Sequence, residues 1–234
     1  MSEKSNQLFP TPFSRKYWEC ASAEMKSTRI LVIAALLTAL RIAVKALTIP
    51  VGPSLNITFG FLVNSVGSMI YGPVVAIIAS AISDTLGAIL FPSGTYFFPF
   101  IFEEIAGGVL FALFYYRAKL SAVRIILGRF AVTLVCNILL NPVLMYYYYM
   151  FVLGKSYTLF TLPRLIKNVA LFPLQSLILI ILFKALVPFT NRMGLTFTGT
   201  EKLNITKKDI VLIVVMTIVS AVCVYLYYLY KGLV

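Results

Sequence analysis

Three carboxylates stand where an acid is costly. Asp84 falls in an apolar run over residues 74–91, and Glu103 and Glu104 fall in a second over residues 97–116. Each run is long enough to cross a hydrocarbon core about 30 Å thick as an α-helix. An unpaired acid at that depth costs on the order of 2.5–3.5 kcal/mol, so such groups pair, protonate or face water. The whole chain carries only eight acids, and three of them are here. Ionised, they offer acceptor oxygens and negative charge to a donor-bearing or cationic partner.

The connection over residues 92–96 is short, which makes the two helices antiparallel neighbours and brings the three acids to a similar depth near that turn. Ser80, Ser83, Gly87 and Ala88 surround Asp84 at helical spacing, and Gly107 and Gly108 follow the glutamates. Small residues of this kind let helices approach closely or leave room for a guest. Two compatible readings follow: a polar pocket open to one side of the membrane, and an internal ion-pair network with Arg41.

Composition bounds the rest. The chain has 234 residues, 60% of them apolar and 12% charged, with a mean hydropathy of +0.94. That describes an all-α, multi-pass membrane protein. The net charge of +12 is explained by Lys and Arg gathered on cytoplasmic loops rather than by nucleic acid. Cys20, Cys136 and Cys223 have no ligand spacing, so neither a disulfide nor a metal is expected. Histidine is absent, which removes the usual general base and the Ser-His and Cys-His nucleophile pairs. No cofactor or enzymatic activity is expected.

Residues 1–12 are polar and read as loose. Over 13–26, Phe13, Tyr17, Trp18, Ala21 and Met25 recur at helical spacing, with Arg15, Lys16, Glu19, Glu24 and Lys26 on other faces. The pattern predicts a short interfacial helix against the inner leaflet. Helix 1 is expected over 29–47, where Ala35, Ala39 and Ala43 repeat every fourth residue. Such a stripe marks close helix packing, inside this bundle or against another protein. The loop 48–56 is irregular enough to be a lid. Helix 2 is expected over 57–71, short for a full span. Gly72-Pro73 makes a turn before the acid-bearing hairpin.

Helix 5 is expected over 128–151 with Asn137, Asn141 and Pro142, ending in the tyrosine run 146–149 at the height of an aromatic belt. Helix 6 is expected to follow, to about residue 186, entered through Arg164, Lys167 and Asn168. A linker over 188–208 leads to a seventh apolar run over 209–230. The domains expected are thus an N-terminal segment 1–28, a six-helix membrane unit 29–187, the linker 188–208, and a further transmembrane helix within 209–234.

With the N-terminus inside, fourteen of the twenty Lys and Arg fall on the inner side, Arg129 among them. The acids, Arg41, Lys45, Asn141, Arg164, Lys167 and Asn168 then belong to the outer half. Gly154-Lys155-Ser156 mimics the end of a phosphate-binding loop, but Tyr149 stands where its first glycine is needed. The Glu103-Glu104 pair is similar to that of intramembrane CAAX-type proteases, yet Gly108 occupies the place of their arginine.

Several stretches resemble a known family. They are 13–18 (Phe-Ser-Arg-Lys-Tyr-Trp), 26–29 leading to Ala34-Ala35-Leu36, and Met69-Ile70-Tyr71-Gly72-Pro73. Asp84 followed by a Pro-Gly loop, and 164–168 followed by Pro173, add to these. Over about residues 13–187 they resemble substrate-binding S components of energy-coupling factor (ECF) vitamin transporters, nearest the folate-specific branch. The resemblance implies a six-helix bundle in a bacterial cell membrane that binds one vitamin at its outer face. It implies docking through Ala35, Ala39 and Ala43 onto a transmembrane coupling protein that carries two ATPases. The seventh run departs from that pattern.

Folate suits these residues. A pterin presents adjacent N–H donors, which a carboxylate accepts in pairs, with Asp84 the first choice and Glu104 the second. The flat aminobenzoyl ring suits Tyr96 or neighbouring phenylalanines. The two carboxylates of the glutamate tail call for Arg164, Lys167 or Arg41, with Asn141 and Asn168 completing the hydrogen bonding. Thiamine or riboflavin, or a proton-coupled secondary transporter, are the alternatives.

Overall fold

Gly72 turns the chain back on itself, and the acid-bearing helix is placed by that turn. The computed structural model describes residues 8–45, 47, 49–52, 55–92, 95–199 and 203–233. Helix α3, Gly60–Leu90, is broken at Gly72, whose φ of 73° and ψ of −179° lie in a region that glycine alone enters readily. Pro73 supplies no N–H to bridge the break. Asn64 and Ser80 lie on opposite sides of it. In an unbroken helix they would be about 24 Å apart. Both nevertheless stand beside Gly108, where an added Cβ would lie 2.6 Å from Ser80 Oγ and 3.4 Å from Asn64 Oδ1. The arms 60–71 and 73–90 therefore run side by side, as the sequence predicts for its second and third helices.

The remaining elements follow in order. Helix α1, Arg15–Glu24, is capped by Ser14, whose hydroxyl accepts the Tyr17 N–H. It meets α2, Thr28–Lys45, at a bend of 78°. A short antiparallel ribbon, β1 Ile49–Gly52 with β2 Leu55–Ile57, occupies part of the expected irregular loop. Thr48, Pro53 and Ser54 of that loop lie outside the described residues. After α3 come α4, Phe100–Tyr115, and α5, Ala122–Leu153. Then come α6, Leu162–Arg192, and α7, Lys207–Leu233.

Among the described residues, four stretches are long and apolar enough to cross a membrane: Gly60–Leu90, Ala122–Leu153, Leu162–Arg192 and Lys207–Tyr227. The bent pair α1 and α2 adds a fifth when taken together. The protein is a multi-pass, helical membrane protein. The count falls short of six plus one because α3 passes as one unit although folded at Gly72, and α4 has only 16 residues.

Phe111, Tyr115, Ile125, Leu179, Phe183 and Val187 are fully buried and form the centre of the core. Gly72 faces the Tyr116 ring, so the break in α3 closes on the C-terminal end of α4. Phe9 N–H donates to Arg117 O, Leu120 N–H to Thr198 O, and Arg29 to Met193 O, so three connecting segments gather at that end.

Helix α5 starts six residues earlier than the sequence suggests, at Ala122, because Ser121 caps it by accepting the Arg124 N–H. Arg129, expected in the first turn of helix 5, thus lies two turns inside it. It is buried, donates from Nε and Nη2 to Gln175 Oε1, and stacks 4.6 Å from the Phe61 ring centre. Helix α6 runs on through Pro188 to Arg192, shortening the expected linker.

Candidate binding site

Three helices converge on the acids. Ser80, Asp84 and Gly87 share one face of the second arm of α3. Glu104, Gly107 and Gly108 share one face of α4. Arg41 and Lys45 sit one turn apart at the end of α2. The small residues bring these faces together, since Gly108 and Ser80 leave no room for a side chain between α3 and α4.

Arg41 is buried, forms an ion pair with Glu104, and donates to Ser80 Oγ at 3.1 Å. Lys45 Nζ bridges two acids, at 3.4 Å from Asp84 Oδ1 and 3.5 Å from Glu104 Oε1. The internal ion-pair network expected from the sequence is therefore present, with Lys45 as a member beyond those expected. It leaves polar atoms over. Asp84 Oδ2, Ser83 Oγ and Arg41 Nε are buried without a hydrogen-bond partner. A buried oxygen of that kind is costly unless a donor from outside the chain, a water or a bound molecule, meets it.

A second network joins α4, α5 and α6. Asn141 donates to Glu103 Oε2 at 2.8 Å. Asn137 donates to Asn168 Oδ1 at 3.1 Å, and Asn168 donates to Arg164 O at 3.0 Å. Arg164 reaches the Tyr157 hydroxyl and lies 5.6 Å from its ring centre. Its Nη1 is buried without a partner. Lys167 follows one turn on, half-buried. Residues Thr133–Leu140 and Tyr149–Leu153 are wound in wider π turns. Pro142 cannot donate to the preceding turn, and Asn141 N–H reaches back to Cys136 O instead.

Aromatic rings flank both networks. Tyr96 is exposed, with its hydroxyl 3.5 Å from Thr85 Oγ1. Tyr148 packs edge-on against Phe97, and Tyr149 lies 4.8 Å from Tyr157. Along the tyrosine run read as a belt, Tyr146 and Tyr147 are exposed, with Tyr147 stacked on Phe151, while Tyr148 and Tyr149 are half-buried against Phe97 and Tyr157. Lys45 had one usable signal, being four residues after Arg41 on the same helix face. Tyr157 had none, because it stands in a loop.

Of the residues predicted for the site, Arg41 and Glu104 pair directly, and Asp84 joins them through Lys45. Asn141 holds the neighbouring Glu103, and Arg164 and Asn168 join each other. Ala35, Ala39 and Ala43 are elsewhere, exposed along α2. They do not pack inside the chain.

Residues 25–188 match the model of a family described as "ECF-type riboflavin transporter, S component". The chain belongs to this S-component family. The match takes in α2 to α6 and stops short of α7. A relative named Folate transporter FolT from Clostridium novyi is 28% identical over 66% of this chain and 88% of its own length. A protein of the same name from Leuconostoc mesenteroides is 32% identical, over 63% of this chain and 80% of its own. The solved structure described as "Crystal structure of FolT bound with folic acid" is similar at a TM-score of 0.56 and 30% identity. It covers 64% of this chain, and 89% of that chain is matched. The family match leaves α1, the last residues of α6 and α7 outside it.

Proposed function

We propose that this chain binds folate at the outer face of a bacterial cell membrane, as the substrate-specific subunit of an ATP-driven ECF importer. Two named relatives are folate transporters and a similar solved structure holds folic acid, whereas the matching family model carries riboflavin in its description. The observation that supports folate over riboflavin is the unpartnered, buried Oδ2 of Asp84. A pterin offers its ring N–H and exocyclic amine side by side, which suits a carboxylate. The flavin imide N–H is flanked by two carbonyls, which an acid repels.

In this reading Asp84 accepts the pterin donors, and Glu104, held by Arg41, shapes the same wall. Tyr96 covers the aromatic middle of the ligand. Asn141 and Asn168 add hydrogen bonds, and Arg164, through its unpartnered Nη1, receives the glutamate tail with Lys167 beside it. Arg41 serves the site through Glu104 rather than by meeting the tail, because its guanidinium is already paired. Residues 29–187 form the binding unit, with an N-terminal segment before them and α7 as an added span. The N-terminus is cytoplasmic. The exposed Ala35, Ala39 and Ala43 dock a transmembrane coupling protein that carries two ATPases.

Calorimetry on the purified protein tests the ligand. Folic acid should bind with Asp84→Asn weakening it about 10- to 100-fold, the value of a charge-assisted hydrogen bond of about 1.5–3 kcal/mol. Riboflavin binding more tightly than folic acid would overturn the reading.

A further inference from the structure

Helix α1 is held by one face and bare on the rest. Tyr17, Ala21 and Glu24 are buried, with the Tyr17 hydroxyl donating to Ala112 O at 3.0 Å and Glu24 accepting from Arg117 and Tyr116. These contacts fix the helix to the inner end of the bundle. The 78° bend from α2 lays it across the direction of the spanning helices, in the plane of the interface.

Its free surface is ordered by helical spacing. Trp18 and Met25, seven residues apart, form an exposed apolar shoulder beside the packed face, and Phe13, just before the helix, is 88% exposed. Arg15, Ser22 and Lys26 form the next stripe. Lys16 and Arg29 are exposed too, against a single exposed acid, Glu19, which pairs with Arg15. Arg15, Trp18, Glu19, Ser22, Ala23 and Lys26 line a shallow groove of about 530 Å³. An apolar shoulder set next to a net-positive stripe matches an acyl-chain boundary set next to an anionic headgroup.

We infer that the exposed groove of α1 is a binding site for anionic phospholipid of the surrounding leaflet, with Trp18 and Met25 in the acyl boundary and Arg15 and Lys26 at the phosphate. The occupant is a lipid rather than an acidic protein surface, because the apolar shoulder is continuous with the basic stripe along the same helix. The site is independent of what the outer half binds.

Trp18 is the chain's one tryptophan, so its fluorescence reports this site alone. The full chain is reconstituted in vesicles of phosphatidylcholine containing a matched fraction of either brominated phosphatidylglycerol or brominated phosphatidylcholine. Trp18 should be quenched at least about twofold more by the anionic lipid. That preference should vanish in the double variant Arg15→Gln and Lys26→Gln, and shrink as salt approaches about 1 M, where the screening length falls to about 3 Å. Both substituted side chains are exposed, so the fold is retained. Equal quenching by the two lipids, no quenching by either, or a preference that survives the double variant and high salt would each overturn the assignment.

Discussion

Lys45 lays its side-chain stem across Gly87. A Cβ at residue 87 would stand 2.9 Å from Lys45 Cδ and 3.2 Å from its Nζ. The bare glycine thus leaves the slot through which an ammonium from α2 reaches Asp84 on α3. Gly87→Ala should push that ammonium aside and leave Asp84 without its nearest cation. Such a partly exposed pair is worth about 1 kcal/mol, so folic acid affinity should fall about fivefold in calorimetry. Gly60→Ala is the control, since a Cβ there meets nothing within 4 Å.

The Arg41–Glu104 pair makes a different kind of demand. Arg41 is buried, so removing only its acid leaves an uncompensated charge inside the bundle. Glu104→Gln should lower stability by on the order of 3 kcal/mol, read as a drop in the thermal unfolding midpoint in detergent. Replacing both partners, Arg41→Met with Glu104→Met, should restore much of that loss, because two apolar side chains carry no desolvation cost. A double variant less stable than the single one would mean that the network stabilises the fold through more than this pair.

The depth of the acids was legible because a charge inside a lipid-length run is conspicuous in any sequence. Which cation meets which acid was not, since that depends on how α2 is rotated against α3 and α4. Arg41 was expected near the acids, but Lys45 entered the network only through the space at Gly87. The turn at Gly72-Pro73 was readable as punctuation, whereas its positive φ was not. Arg129 was expected at the very start of helix 5, but Ser121 starts α5 earlier than the apolar pattern does, which sets Arg129 two turns in, where Gln175 with Phe61 makes burial of a cation tolerable. The pairing of Asn137 with Asn168 rests on the π turns around Pro142, which shift the helix face without any mark in hydrophobic periodicity.

If the alanine stripe on α2 docks the coupling protein as proposed, binding and transport can be separated there. Ala35, Ala39 and Ala43 are exposed, and the site side chains of α2, Arg41 and Lys45, point to α3 and α4 instead. Ala39→Trp should therefore abolish folate uptake by cells that also make the coupling protein and ATPases, while calorimetry on the purified variant shows folic acid affinity within about twofold of the parent. Loss of binding together with uptake would place the stripe in the binding unit instead.

Helix α7 meets the rest of the chain lightly. Only 6% of its most apolar 18-residue window is buried, and the Ser220 hydroxyl donates to Val169 O on α6 at 2.9 Å. The segment before it behaves differently: Thr196 and Thr198 are buried in a hydroxyl network with Thr190 and Asn191, and Leu203 packs in the core. A stop after Thr206 keeps that closure and removes only the added span. The truncated protein should purify folded and bind folic acid within about twofold of the full chain, because none of the polar groups around Asp84 comes from α7. A tenfold loss, about 1.4 kcal/mol, would show that packing of α7 against α6 is transmitted to Arg164 and Asn168 at the start of that helix.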